Sequence, residues 1–163
     1  MKMKFLFLFL ILLLVPCLGF TIQKADSVLV KKTEAKLHLI KDDVIFESFN
    51  VVFGANPQGH KKEQGDNRTP EGSYILEYKL ENSAFYKAIR ISYPNAADIA
   101  CAKARGVNPG GRIMIHGQPN AYGHISHILQ RSNWTNGCIA VTNAEMDIIW
   151  EAVDEGTPIT ILP

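Results

Sequence analysis

A cysteine that directly follows a glycine, Gly137-Cys138, and a histidine that ends an apolar run, Arg112-Ile113-Met114-Ile115-His116-Gly117, are the residues of this chain best suited to covalent chemistry. A thiolate attacks a carbonyl once a neighbouring imidazole has taken its proton. A glycine beside the sulfur leaves room for substrate and opens backbone N–H groups to the oxyanion that forms. Cys138 is therefore the candidate nucleophile, His116 its candidate general base and acid, and the Gly137 N–H a candidate oxyanion donor. Around them, Trp134, Thr135, Asn136 and Gly117 are candidates for substrate contact, and His124 in the intervening loop is another. His124 and His127 make a His-x-x-His pair, a poor zinc pattern without further ligands, and thiol chemistry requires neither metal nor cofactor. A cysteine and a histidine at this separation are weak evidence by themselves. Each residue also has a plainer reading: Cys138 as a structural thiol, His116 as a satisfied strand-end histidine, Trp134 as a core anchor, Thr135 and Asn136 as turn formers.

The elements that must position these groups read as mostly β. In residues 27–53, Leu37 and Leu39 alternate with His38, a Lys41-Asp42-Asp43 turn follows, and an apolar run resumes at Val44, which together predict a hairpin. Residues 54–72 are rich in Gly, Pro, Asn and charge and predict a long loop, of the kind that is often functional in a compact domain. Further strands are predicted at 73–78, 88–93, 112–116, 137–141 and 157–162, and alanines suggest a helix at 95–105. The clearest helix opens with the capping box Thr142-Asn143-Ala144-Glu145, continues with Met146, Ile149, Trp150 and Val153 at helical spacing, and is expected to end at Gly156. The fold class expected is mainly β with accessory helices, as a β-sandwich or partly closed barrel.

Compartment is read from the first residues. Lys2 and Lys4 precede an apolar run over 5–15 and then Pro16, the pattern of a secretory signal peptide; a membrane span needs about 20 apolar residues. Cleavage is expected after Gly19, giving a signal peptide at 1–19 and one domain at 20–163, exported to the periplasm or cell wall with no stable membrane span. Acylation at Cys17 is a second reading, opposed by Pro16 where a small residue is expected. The 163 residues carry a formal charge of +1 without a basic stripe, which excludes the usual nucleic-acid footprint. Cys101 and Cys138 are the two cysteines left after cleavage. A disulfide between them stays open, although a thiol kept in a polar loop of an exported protein points to reactivity.

The wording of three segments resembles the L,D-transpeptidases with the YkuD-like catalytic domain. The matches are Ile115-His116-Gly117, then Thr135, Gly137, Cys138, Ile139 and Asn143, and upstream Thr69-Pro70-Glu71-Gly72-Ser73-Tyr74, which is similar to the family's Thr-Pro-x-Gly-x-Phe/Tyr turn. The resemblance covers roughly residues 27–163. It implies an L,D-transpeptidase fold, a Cys138 thioester with His116 as base, and peptidoglycan stem peptides as partners, a wall-attached protein being another. Departures are Asn136 in place of a frequent His, Ala140 in place of a common Arg, and a longer loop between His116 and Cys138. A subgroup with Trp-Thr-x-Gly-Cys-Ile-Ala-Val-Thr-Asn wording includes members proposed to hydrolyse wall linkages. The resemblance thus leaves three functions open: transpeptidation, hydrolysis as an L,D-carboxypeptidase or amidase, and non-catalytic peptidoglycan binding.

Overall fold

A computed structural model describes residues 22–163, so the predicted signal peptide, its cleavage site and Cys17 lie outside the described residues. The strands are β1 (Ser27–Lys31), β2 (Lys36–Lys41), β3 (Val44–Asn50), β4 (Gly72–Ser83), β5 (Tyr86–Ile91), β6 (Met114–His116), β7 (Ile139–Ala140) and β8 (Pro158–Leu162). The helices are α1 (Ala96–Ala104), α2 (Ser126–Leu129) and α3 (Asn143–Ala152). One eight-stranded sheet runs in the order β3-β2-β1-β8-β4-β5-β6-β7.

The predicted hairpin is β2–β3. Asp42 and Asp43 both take positive φ, 49° and 62°, the pair of left-handed residues a two-residue turn needs if its twist is to match the flanking strands. The long strand β4 carries the sheet round a corner. Its first residues, Gly72–Ile75, pair with β8, whereas from Leu76 onward it pairs with β5, with register shifts at Leu76/Lys79 and Leu80/Ser83. Such irregularities bend a strand and increase its twist. The two halves thereby share one core: Val28, Val30, Leu37 and Leu39 from one side, Leu76, Ile89, Ile91, Ile115 and Ile139 from the other, covered by Met146, Ile149 and Val153 at the C-terminal helix. Beyond β3 the chain returns to the opposite edge, where the Val52 and Ala140 backbones exchange hydrogen bonds of 3.0 and 2.9 Å. The sheet is therefore unclosed as a ladder, although its edges meet at one bridge. This is the mainly β, partly closed arrangement with few helices that the sequence predicts.

Several boundaries differ from expectation: β4 runs on to Ser83 instead of ending at residue 78, β5 lies at Tyr86–Ile91 instead of 88–93, and β6 keeps only Met114–His116 of 112–116. Helix α3 starts at its capping box, with Thr142 Oγ1 accepting the Glu145 N–H at 3.3 Å and Glu145 Oε2 accepting the Thr142 N–H at 2.8 Å. It stops at Ala152, and Gly156 (φ 90°) shapes the turn into β8 instead of ending the helix. Strand β7 keeps two of its five predicted residues, because Gly137 (φ 126°) turns the chain away from the ladder. Helix α2 and the 3-10 turn Gly123–Ile125 before it bury no residue, so they leave no apolar period to read. Cys101 is exposed on α1, and both it and Cys138 are free thiols rather than a disulfide.

Candidate active site

His116 ends β6, which lies between β5 and β7; Ala88 and Ala140 are its partners in the ladders. Ile115 is fully buried in the core, and the alternation of a strand turns the next side chain to the opposite face. The imidazole is 3% exposed, with Phe85 4.6 Å away and Trp134 5.8 Å away between ring centres. Its Nδ1 is 2.7 Å from the Gly117 carbonyl oxygen. A carbonyl only accepts, so the neutral ring is assigned its proton on Nδ1 and keeps the Nε2 lone pair free. Burial pulls His116 below the ordinary imidazole range, against the Gly117 hydrogen bond, which favours the charged ring. Gly117 acts here through its carbonyl and its size: a Cβ would stand 2.7 Å from Asn143 Oδ1, the atom that accepts the Gln118 N–H at 2.8 Å.

The turn that carries Cys138 is held by Thr135. Its hydroxyl donates to the Cys138 carbonyl at 2.7 Å and accepts the Gly137 N–H at 3.1 Å. Thr135 is itself fixed to the chain beyond β3, its N–H reaching the Phe53 carbonyl at 3.1 Å while its carbonyl accepts the Ala55 N–H at 2.9 Å. Asn133 Oδ1 accepts the Phe53 N–H at 2.8 Å. Beneath the turn lies the long loop of residues 54–72: a Cβ on Gly137 would stand 2.6 Å from the Arg68 carbonyl oxygen, so only glycine permits this approach.

Cys138 Sγ donates to the Arg112 carbonyl at 3.5 Å, and no hydrogen bond joins it to His116 among the described residues. Burial pushes the Cys138 thiol up, while the Met114 amide and the charges of Arg90 and Lys61 pull the other way. A lowered imidazole and a raised thiol both favour the neutral pair over a thiolate–imidazolium pair.

Cys138, His116, Trp134, Thr135 and Asn136 line one cleft of about 840 Å³. Gly137, Gly117 and His124, the last exposed in the 3-10 turn, are not among the lining residues. The Gly137 N–H is engaged by Thr135, so it is not free for an oxyanion as the sequence reading expected. Phe85, Arg112 and Met114, none of them a candidate from the sequence, also line the cleft. Met114 and Arg112 sit in the strand segment already singled out, whereas Phe85 lies in the β4–β5 turn, where no pattern marks it.

The sequence and the fold match a known family. The model for the YkuD L,D-transpeptidase catalytic domain matches residues 25–161, and the chain belongs to that family. YafK of Escherichia coli (strain K12), provisionally named an L,D-transpeptidase, is 32% identical over 111 residues, 67% of this chain and 37% of that protein. Among solved structures, the helical cell shape determining protein Pgp2 of Campylobacter jejuni superposes with a TM-score of 0.62 at 28% identity, over 82% of this chain and 46% of that one. An L,D-transpeptidase of Xylanimonas cellulosilytica shares the fold with a TM-score of 0.54 at 15% identity, over 85% of this chain and 61% of that one. The chain spans less than half the length of YafK and of Pgp2.

Proposed function

We propose that this chain is an exported peptidoglycan L,D-transpeptidase that works through a thioester on Cys138. The observation that carries the reading is the shared cleft, in which Cys138 stands with a His116 whose Nδ1 is held by Gly117 and whose Nε2 is free to take a proton. In this reading the thiol turns from the Arg112 carbonyl toward Nε2 as substrate arrives; hydrogen bonds of catalysis are commonly loose before substrate binds. His116 takes the proton as sulfur attacks the carbonyl of the L,D bond between diaminopimelate and D-alanine in a stem peptide. The Cys138 N–H, for which no acceptor is found among the described residues, replaces that of Gly137 as backbone donor to the oxyanion. Collapse breaks the C–N bond, His116 returns its proton to the departing D-alanine amine, and the acyl group remains on sulfur. An acceptor amine on a second stem peptide, or on a wall-attached protein, then attacks the thioester, gives its proton to His116 and frees the thiol. Trp134, Asn136 and Thr135 border the acyl chain.

Hydrolysis on the same scaffold is the second reading, as an L,D-carboxypeptidase or amidase. It is suggested by Ala140 and Asn136 standing where the family commonly has Arg and His, since Ala140, buried in β7, offers no charge to a substrate carboxylate or amide. A part in cell shape, the role in the name of Pgp2, belongs to the same proposal. The deciding experiment incubates residues 20–163 with a disaccharide-tetrapeptide, with and without an acceptor amine, and follows protein and products by mass spectrometry. A Cys138 adduct with cross-linked dimer is expected. Release of D-alanine without dimer would select hydrolysis, and no adduct or product with either would reject the thiol mechanism.

A further inference from the structure

A second cleft, of about 830 Å³, meets the Cys138 cleft at Gly111, Arg112 and Asn136, which line both. Its lining holds Lys61, Arg90 and Arg112 with several amide side chains and no carboxylate. Lys61 is engaged, its ammonium 2.7 Å from Asp66 Oδ1. Arg90 is only partly engaged: it donates to the Tyr93 carbonyl at 3.2 Å and stands 3.6 Å from Glu77, a half-exposed partner worth little in water. The Arg112 side chain makes no hydrogen bond or ion pair among the described residues. Its backbone takes φ 57°, uncommon for arginine, and its carbonyl receives the Cys138 thiol at 3.5 Å. Gly110 and Gly111 bring this segment close: a Cβ on Gly111 would stand 3.8 Å from Arg90 Nη2, and one on Gly110 3.2 Å from Gln64 Cα.

We propose that this second cleft is a carboxylate subsite, in which Arg112, supported by Arg90, takes the free α-carboxylate of the residue on the leaving side of the scissile bond. The inference rests on the stem-peptide reading above. A carboxylate one residue beyond the attacked carbonyl lies within about 4 Å of it, the span of one C–N–Cα–C unit. Other carboxylates of a stem peptide stand further away along the chain. An unpaired guanidinium on the residue that touches the sulfur is placed for the near one, and its planar fork binds a carboxylate through two parallel hydrogen bonds. The site therefore selects a free C-terminus over an amidated or extended one, which supplies the anion contact that Ala140 lacks.

Calorimetry on the Cys138→Ala protein with a stem tetrapeptide as free acid and as C-terminal carboxamide tests this without requiring turnover. The acid should bind about tenfold tighter, as charge-assisted hydrogen bonds imply, with the preference shrinking in high salt. Arg112→Asn, whose new side chain tolerates positive φ, should bring the ratio below about threefold, Arg90→Gln should reduce it, and Arg131→Gln, outside the cleft, should leave it intact. Equal affinities, a preference that survives Arg112→Asn, or no binding of either peptide would overturn the subsite. Acid preference without any thioester on Cys138 of the unaltered protein would overturn the catalytic mechanism and leave the subsite standing.

Discussion

At Cys138 the proposed mechanism sets two demands against each other: the sulfur must be shielded from water yet ionise when substrate arrives. Burial pushes the thiol up and His116 down, which favours the neutral pair before substrate binds. The base must be neutral to act, and a lowered imidazole stays neutral to lower pH, so the acid limb of kcat/KM should fall below about 6.5. Alkylation of Cys138 by iodoacetamide, which reports free thiolate, should rise with a midpoint above pH 9.0, the ordinary value from which the thiol is raised. Full alkylation at pH 6 would instead mean a preformed ion pair. Thr135 is the second residue-scale lever. Thr135→Val strands the Gly137 N–H and the Cys138 carbonyl, for a loss of about 2 kcal/mol and a large fall in kcat. Thr135→Ser keeps the hydroxyl and should restore most of both, read by thermal unfolding and steady-state kinetics; equal losses in the two variants would remove the clamp from the account.

Among the elements, the loop of residues 54–72 controls the site from below, and Asp66 organises that loop. Its carboxylate accepts from Lys61 Nζ at 2.7 Å and from the N–H groups of Lys62, Glu63 and Arg68 at 2.7, 3.1 and 3.1 Å. Burial pushes the Asp66 carboxyl up, but these donors outweigh it and hold it below the ordinary range. A depressed carboxyl gives support that is full above its unfolded pKa of about 3.9 and lost as pH falls through the folded value. Asp66→Ala should cost about 2 kcal/mol, roughly 4–8 °C in Tm, and should lower activity because Arg68 underlies Gly137. A Tm unchanged by the substitution would show that the loop holds itself without Asp66. How legible each element was follows from the size of its local signal. The Asp42-Asp43 hairpin and the Thr142/Glu145 capping box are written in adjacent residues, and so were read correctly. The positions of Cys138 and His116 in one cleft were legible because motif and strand pattern agree there. The engagement of the Gly137 N–H is a contact within one turn, made by a Thr135 hydroxyl two residues earlier, but a hydroxyl there has several possible partners and its type does not say which it takes. The place of Phe85 and the isolation of His124 depend on how distant segments pack, and no local spacing encodes that.

On the scale of the whole molecule, the corner in β4 decides whether the two halves of the sheet are separable. Residues from both halves enter one cluster, with Leu37 and Val30 on one side, Ile89 and Ile115 on the other, and Met146 and Ile149 of α3 in the same cluster. The edges meet again at Val52 and Ala140. Neither half can unfold without exposing apolar surface of the other, at about 25 cal/mol per Å², so residues 20–163 should unfold as one unit. The two tryptophans allow the test, because Trp134 lies in the cleft and Trp150 packs on the core from α3. Trp134→Phe and Trp150→Phe each leave one reporter at a different place. In urea, the fluorescence midpoint of each variant should coincide with its own far-UV circular dichroism midpoint, with a single m value for each. If Trp134 reported an earlier transition than circular dichroism in the Trp150→Phe protein, the cleft would be a separate, less stable unit. Its geometry would then have to be assembled by substrate, not held ready by the sheet.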